Sequence, residues 1–377
     1  MKKYSVFFIL FLIAPLTLYL LLSAIPTLSE KHKSDFQKDY KIYSLVLPEQ
    51  MSFAGEDVPL EIEDVWERLD REMLSNVYWQ SNTLLNIKRA NRWFPLIEEV
   101  LKKNGIPDDF KYIAMIESSF MNVVSPSDAH GFWQFIPETA KSYGLEVNEK
   151  VDERYHVAKA TEAACNYFKD AYKTFGSWTL TAASYNMGIN GLNYQLKTQQ
   201  VDNFYDLLLN VETSRYIFRI LAVKEIYEHP THYGFVILDD HLYTPYSTYT
   251  VTVDTTIDNL VDFALKNNTN YRMLKILNPW LRKSDLPNKA QKIYEILLPL
   301  DVKRNKGKSD INEEAQKNIP QQDSTFIHIV QKHQSLQDIA KIYQVEVQQI
   351  KEWNGLKNEY LEKGQELKII ISKPSNP

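Results

Sequence analysis

The sequence predicts a mainly α protein in which a long helical region is followed by two small α+β modules. Apolar residues recur at helical spacing over residues 61–230. Strand-like alternation first appears at Tyr249–Asp254, and a strand–helix–helix–strand pattern then occurs twice. The 377 residues, 44% of them hydrophobic, are enough for two or three domains with cores of their own.

The helical region begins with an amphipathic segment and contains clear helix-end signals. Five apolar residues recur there at helical spacing: Trp66, Leu69, Met73, Leu74 and Val77. Ala90–Lys103 ends at Asn104-Gly105, and Pro107 opens the next predicted helix, Asp108–Phe120. Further helices are predicted at residues 137–143, 157–175, 178–185, 204–209 and 212–228. An all-α domain is therefore expected over residues 61–230.

The region after residue 230 contains an internal repeat. Val251-Thr-Val-Asp254 matches Ile327-His-Ile-Val330, and Tyr271–Pro279 matches Val347–Gly355. The second copy has the compact form of a βααβ module of roughly 45 residues. Two modules are therefore predicted, at residues 249–299 and 326–372. The stretch 301–324 between them is polar and almost without apolar residues, which predicts a disordered linker.

The N-terminus predicts export. Lys2 and Lys3 precede a long uncharged run, of which Val6–Ile25 is almost wholly apolar. A positive start before an apolar stretch is typical of an export signal, and this stretch is also long enough to span a bilayer. Residues 1–29 are therefore predicted to be a signal peptide or an N-terminal membrane anchor, and residues 30–60 a tether. Either interpretation puts the rest of the chain in the periplasm or cell envelope.

Composition argues against nucleic-acid and metal partners. The formal net charge of −5 does not fit a protein that binds phosphate backbones. Cys165, the single cysteine, cannot form an internal disulfide or a cysteine-rich zinc site. The 8 histidines show no paired zinc spacing.

Glu117 is the first candidate for chemistry. Phe110, Ile113, Ala114 and Glu117 share one face of a predicted helix, and neighbouring apolar residues make that helix buried nearly all round. A carboxyl group in such surroundings is desolvated, which raises its pKa and keeps it protonated near neutral pH. A general acid for a glycosidic oxygen needs that protonation state. Taken alone, the same pattern also fits a buried glutamate that pairs with an arginine.

Four short blocks then follow in order: Glu117-Ser-Ser-Phe120, Gly131-Phe-Trp-Gln134, Ala183-Ser-Tyr-Asn-Met-Gly188 and Glu212-Thr-Ser-Arg-Tyr216. With the Ser125-Pro126 turn they resemble the lytic transglycosylases of glycoside hydrolase family 23. The resemblance implies a lysozyme-like all-α catalytic domain at residues 61–230. It implies non-hydrolytic cleavage of the bond between N-acetylmuramic acid and N-acetylglucosamine in peptidoglycan, with 1,6-anhydromuramic ends. It implies no metal and no organic cofactor.

The resemblance also assigns roles to single residues. It makes Glu117 the single catalytic acid and base. Ser125 lies near the reacting sugar, Gln134 contacts substrate, and Trp133 lines the cleft. Tyr185 and Asn186 face the acid and help to hold the transition state, and Tyr216 closes the cleft beside Glu117.

Residues 326–372 resemble a lysin motif (LysM) domain. The resemblance rests on the Gln334-Ser335-Leu336 turn, the Trp353-Asn354-Gly355 turn and Lys363-Gly364-Gln365 before the final strand. It implies glycan binding by two loops, which contain His333, Gln334, Ser335, Leu336, Asn354, Gly355, Leu356 and Lys357. The copy at 249–299 has Asn278-Pro279 and lacks the Lys-Gly-Gln turn. Sugar binding and a purely structural role are both open for that copy.

Two other functions remain open at this stage. A hydrolytic lysozyme on the same fold would need a second carboxylate, for which Asp128, Glu138 and Asp152 are available. A non-catalytic peptidoglycan-binding protein would need only the modules. The intact Glu117 and the four ordered blocks favour the enzyme.

Overall fold

A computed structural model describes residues 42–300, 324–330, 334–343, 345–356, 358–362 and 364–371. The chain divides into two compact units. The first unit comprises the described residues up to 121 together with residues 161–243. The second unit comprises residues 122–160 and the described residues from 244 onwards.

Helices dominate the first unit. They are α1 (Glu63–Tyr78), α2 (Gln80–Asn104), α3 (Lys111–Ser118), α5 (Val157–Phe175), α6 (Trp178–Met187), α7 (Ile189–Gln199) and α8 (Val211–Glu228). Helix α5 begins in the second unit and continues in the first. A two-residue hairpin, β1 (Ser52–Phe53) with β2 (Glu56–Asp57), precedes them. Gly105, in the left-handed region, closes α2 at the Asn104-Gly105 signal read from the sequence.

Helix α3 lies at the centre of the first unit. Its side chains from Lys111 to Met115, and Ser118, are buried. Phe94 of α2 contacts Tyr112 and Phe120 edge to face, with ring centroids 5.5 and 5.4 Å apart. The expectation of a helix buried nearly all round is confirmed, although the turn at 108–110 is a 3-10 helix and α3 ends at Ser118.

The backbone after α3 is strained. Ser119 and Phe120 both have a positive φ, of 52° and 55°, in the left-handed region that favours glycine. Such residues persist where the surrounding structure holds them, and they cluster at functional sites. The chain therefore turns sharply just behind the last turn of α3, which carries Glu117.

Two βααβ modules lie in the second unit, after the short helix α4 (Pro137–Ser142). The first module consists of β3 (Thr248–Val253), α9 (Leu260–Lys266), α10 (Tyr271–Leu277) and β4 (Tyr294–Pro299). The second consists of β5 (Ser324–Ile329), α11 (Leu336–Tyr343), α12 (Val347–Asn354) and β6 (Glu366–Ile371). In each module the two strands pair antiparallel along their full length. The prediction of a mainly α chain with two α+β modules is confirmed.

One asparagine performs the same structural task in both modules. Asn278 Nδ2 donates to the carbonyls of Leu274 and Leu297, and its Oδ1 accepts from Leu297 N. Asn354 makes the equivalent bonds to Ile350 and Lys368. Each asparagine therefore ties the end of the second helix to the final strand, which explains why it recurs in the two copies.

Three details differ from the sequence-based expectations. Residues 204–209 form no helix, and the Asn203 side chain accepts from Asp206 N in a turn at the start of this stretch. Helix α7 was not predicted. Part of the expected tether is packed, since Phe53 is fully buried and Glu56 accepts from the backbone N–H of Trp178 and Thr179 at the start of α6.

Among the residues that the structure describes, no helix is both long and apolar enough to cross a membrane. The predicted signal or anchor at 1–29 lies outside the described residues, as does the predicted linker at 301–324 except for Ser324.

Candidate functional site

Glu117 occupies the last turn of α3 in the first unit, with a partly accessible side chain. Desolvation by the surrounding protein raises the pKa of its carboxyl group above the ordinary value. The negative charge of Glu212 raises it further, while the Tyr216 hydrogen bond and the positive charge of Arg219 lower it without reversing the shift. The site therefore favours the protonated acid.

Tyr216 supplies the direct partner of Glu117. Its hydroxyl donates to Glu117 Oε1 over 2.6 Å, across 99 positions of sequence. Tyr216 is fully buried in α8, and desolvation followed by the charge of Glu117 raises the pKa of its hydroxyl well above the ordinary value. The hydroxyl therefore stays protonated, and it remains a donor to the carboxyl group.

Arg219 lies one helical turn beyond Tyr216. Its Nη2 donates to the backbone carbonyl of Ile116 over 2.7 Å. This bond places a positive charge next to the end of α3 without pairing it directly to the acid. The charge of Arg219 therefore lowers the pKa of Glu117 only in part, and the pKa stays above the ordinary value.

Tyr185 and Asn186 lie in the last turn of α6. Burial, followed by the charge of Glu117, raises the pKa of Tyr185 well above its ordinary value, so the two side chains interact electrostatically. Asn186 Oδ1 accepts from Thr213 Oγ1 over 2.7 Å, and its Nδ2 lies 3.4 Å from Glu212 Oε1. The structure thus brings four predicted site residues, Glu117, Tyr185, Asn186 and Tyr216, to the first unit.

A cavity of about 550 Å³ lies in the first unit, and none of these four site residues is among the described residues that line it. Ile116 and Ser119 at the end of α3 line it, together with Glu212, Arg215 and Arg219 from α8. Both charged residues that act on Glu117, Glu212 and Arg219, therefore face an open volume.

Ser125, Trp133 and Gln134 belong to the second unit. Ser125 Oγ accepts from the backbone N–H of Ser127 and Ala129 and stabilises a turn. Gln134 has a φ of 48°, and its Nε2 donates to the carbonyls of Gly131 and Val123. Both side chains are therefore used in the local structure of the loop that carries them.

The expected role of Trp133 needs correction. Its side chain is fully buried, at 0% exposure, and Phe132 and Phe135 beside it are also buried. An indole without exposed surface cannot stack on a sugar in this conformation. Trp133 is a core residue here, and the structure does not support its predicted place in a cleft wall.

The three acids considered for a second carboxylate differ in their surroundings. Asp152 is buried and paired with Arg154. Asp128 Oδ1 lies 2.6 Å from His130 Nε2. Glu138 is exposed in the first turn of α4. Sequence reasoning gave no role to Glu212 or Arg219, although Glu212 opens the fourth block and Arg219 follows Tyr216 at i+3.

In the second module, most predicted glycan contacts also have structural tasks. Leu336 is fully buried, so its side chain belongs to the module core. Ser335 Oγ bonds Asp338, and Gln334 Oε1 lies 2.9 Å from His328 Nε2. Asn354 joins the end of α12 to β6 through its hydrogen bond to Lys368. Gly355 ends α12 with a φ of 62°, and Leu356 packs against the core of the module. His333 and Lys357 lie outside the described residues.

Family models match three stretches of the chain. The transglycosylase SLT domain matches residues 95–207, the soluble lytic transglycosylase C-terminal LysM-like domain residues 249–302, and the LysM domain residues 328–369. The chain therefore carries a transglycosylase SLT domain followed by two LysM-type modules, which confirms the predicted class.

Two curated relatives belong to the same class. The chain is similar to "Membrane-bound lytic murein transglycosylase D" of Escherichia coli K12 and of Escherichia coli O6:H1, with 30% identity over 192 residues in each case. The match covers 48% of this chain and 42% of each relative, so the chain spans less than half the length of these two relatives. An inactive mutant of lytic transglycosylase Slt from Pseudomonas aeruginosa aligns over 40% of this chain and 26% of that one, at 18% identity. The TM-score of this alignment is 0.29, which is too low to establish a shared fold.

Proposed function

We propose that the protein is a peptidoglycan lytic transglycosylase in which Glu117 is the single acid and base. The observation that carries the proposal is the combination of a raised pKa and one neutral donor, Tyr216, at 2.6 Å. A carboxyl group that is protonated near neutral pH can deliver a proton to a glycosidic oxygen.

The hydrogen bond from Tyr216 gives the two carboxyl oxygens of Glu117 different roles. Oε1 accepts from the tyrosine hydroxyl, so Oε2 carries the proton that passes to the leaving oxygen of the sugar. After that transfer the hydrogen bond and the charge of Arg219 stabilise the carboxylate. The carboxylate then takes a proton from the C6 hydroxyl of the muramic sugar, and this oxygen attacks C1 to close the 1,6-anhydro ring.

Asn186 is proposed to hold the N-acetyl group of the muramic sugar while that group stabilises the positive centre at C1. Thr213 donates to the amide oxygen of Asn186, which fixes the orientation of the amide and leaves its Nδ2 as the donor end. Tyr185 is proposed to face the same sugar. Ser125 and Gln134 remain proposed substrate contacts because they match the family blocks.

Hydrolysis on the same site is the second candidate. Glu212 is close enough to Glu117 to raise its pKa, and its carboxylate is exposed. A hydrolase could use such a second carboxylate to place a water molecule. The transglycosylase needs only Glu117, so Glu212→Gln should leave the product unchanged in that case.

The second LysM module is proposed to bind N-acetylglucosamine-containing glycan and to keep the enzyme on its substrate. The relatives are described as membrane-bound, and the N-terminal apolar run predicts export. The protein is therefore proposed to work in the cell envelope, attached through residues 1–29 where they are retained. Fractionation of the expressed full chain, before and after removal of residues 1–29, tests this placement.

Mass spectrometry of released muropeptides tests the reaction. Purified peptidoglycan is incubated with the wild type, with Glu117→Gln and with Glu99→Gln, a control at an exposed position of α2. Anhydromuramic products from the wild type and the control, but not from Glu117→Gln, are expected. Reducing-end products would establish a hydrolase, and an absence of products with retained sedimentation onto peptidoglycan would leave a binding protein.

A further inference from the structure

The loop that carries Gln134 is held from behind by a buried arginine. Arg154 is 4% exposed, and its Nη1 donates to the carbonyls of Asp128 and Phe135, over 2.9 and 3.2 Å. One side chain thus ties both ends of the loop 128–135. The guanidinium is neutralised by Asp152, whose two carboxylate oxygens accept from Nε and Nη2 over 3.0 and 2.8 Å.

The loop has little freedom to lie anywhere else. A Cβ atom added to Gly131, whose φ is 78°, would come within 2.0 Å of the backbone oxygen of Arg154. His130 pairs with both Val124 and Phe135 across the loop. Its Nδ1 lies 2.7 Å from the Tyr155 hydroxyl, which adds a second attachment to the segment 150–155. In this segment two bridge residues, Val151 and Asp152, precede a 3-10 helix at Glu153–Tyr155. We call this segment the strut.

The first module holds the strut. Asp152 N donates to the Trp280 carbonyl over 2.9 Å, and Arg282 N donates to the Lys150 carbonyl over 2.8 Å. Val151 pairs with Leu281 between these two bonds. The backbone of the module therefore extends the strut as a short antiparallel ladder.

Side chains strengthen this attachment. Val151 and Tyr155 belong to the same buried cluster as the core of the first module. The Arg282 guanidinium lies over the Tyr155 ring, 4.1 Å from its centroid. Lys150 Nζ pairs with Asp285 over 2.8 Å. Strut and module are thus packed as one body through apolar, cation–π and ionic contacts.

The segment of the first module that meets the strut corresponds to a predicted glycan loop of the second module. Trp280, Leu281 and Arg282 follow Asn278 as Leu356 follows its equivalent, Asn354. In the first module this loop is occupied by the chain itself. Its backbone N–H at Arg282 and carbonyl at Trp280 are already paired and leave no edge for a sugar.

We propose that the first module serves as a buttress that positions the loop 128–135 through the strut, and that it does not bind glycan. Arg282, Tyr155 and Arg154 are positioning residues in this account, because they act on the loop and not on the substrate. The kinetic part of the proposal rests on the proposed transglycosylase function, since it needs a measured reaction.

The test compares the full-length wild type with Arg282→Ala, Arg282→Lys and Arg272→Ala. Arg272 is an exposed arginine on α10 of the same module, which makes it a matched control. Hydrogen exchange should become on the order of tenfold faster at amides 128–135 in Arg282→Ala, with exchange in residues 161–243 unchanged. KM for peptidoglycan fragments should rise on the order of tenfold, with the acid limb of the pH profile unmoved.

Rescue by Arg282→Lys, which keeps a cation over the Tyr155 ring, would support positioning. Unchanged loop exchange and an unchanged KM in Arg282→Ala would overturn the proposal. If Arg282→Ala does not fold, Tyr155→Phe removes only the hydroxyl contact to His130, and the same two readouts decide. A wild type without activity would defeat the proposed function, whereas loop exchange would still decide on the buttress.

Discussion

Two glutamates bind neighbouring residues of helix α8, and the chemical nature of the partner differs between them. Glu72 of α1 is bound by Arg215, with Nε–Oε1 and Nη2–Oε2 distances of 2.6 and 3.1 Å. Glu117 of α3 is bound by Tyr216, the next residue, through a single hydroxyl. A bidentate cation neutralises a carboxylate, whereas a desolvated site with one neutral donor favours the protonated acid. The partner, and not burial alone, separates a structural glutamate from a candidate catalyst.

The largest expected effect is the loss of cleavage in Glu117→Gln. The amide preserves the shape of the side chain and can still accept from Tyr216, but it cannot donate a proton to a glycosidic oxygen. Product release should fall by about 10²–10⁴-fold. The rate is measured by muropeptide release, and thermal unfolding serves as the control for folding. A variant that folds and retains most of its activity would contradict the assignment.

Glu72→Gln should lower the stability of the protein and leave its cleavage activity largely intact. The substitution leaves Arg215 without its bidentate partner. Because Arg215 is 34% exposed and solvent screens part of the loss, a decrease of about 2 kcal/mol in the free energy of unfolding is expected. Urea denaturation measures it. A loss of activity equal to that of Glu117→Gln in a fully folded Glu72→Gln protein would erase the contrast between the two glutamates.

Tyr216→Phe should sharpen the comparison by removing only the neutral donor. The tyrosine hydrogen bond lowers the pKa of Glu117, so its removal should raise that pKa and shift the upper limb of the pH–rate profile to higher pH. The rate should also drop by about tenfold, because the carboxylate formed during the reaction loses a hydrogen bond. An upper limb that moves to lower pH would show that the Tyr216 hydrogen bond raises the pKa of Glu117 and does not lower it.

The smallest expected effect is on stability as a function of pH. The pKa of Glu117 is higher in the folded protein than in the unfolded chain. The contribution of this group to the free energy of unfolding is therefore fully present below the unfolded pKa and is lost as pH rises through the folded pKa. Glu117→Gln should therefore gain stability relative to the wild type between pH 4 and pH 8, by about 1.4 kcal/mol for each unit of pKa shift. Urea unfolding at both pH values measures the difference. A wild type that becomes more stable relative to the variant as pH rises would contradict the raised pKa.

Local signals in the sequence anticipated much of the fold. Gly105 ends α2 because only a residue tolerant of a positive φ fits there, and the repeat of Asn278 in Asn354 follows from one local bonding pattern. Contacts between residues far apart in the chain could not be predicted from the sequence. Nothing in the sequence says that Arg215 pairs with Glu72, 143 positions away, or that Lys150 docks on Arg282.

The candidate site divides in the same way. The Glu117 and Tyr216 blocks lie in the chain as separate motifs, and the sequence resemblance paired them correctly across 99 positions. It failed for Trp133, because a tryptophan in a motif has the same letters whether it faces solvent or the core. It also missed Glu212 and Arg219, whose effect on Glu117 depends on the packing of α8 beside α3.

The most direct test of the central claim is a carbon NMR titration of the Glu117 side-chain carboxyl in the full chain, with Glu117→Gln used to assign the signal. We expect a pKa above the ordinary glutamate value in the wild type and a still higher value in Tyr216→Phe. A Glu117 carboxyl that titrates at or below the ordinary value would contradict the account, because the acid would then be ionised before it could protonate the sugar.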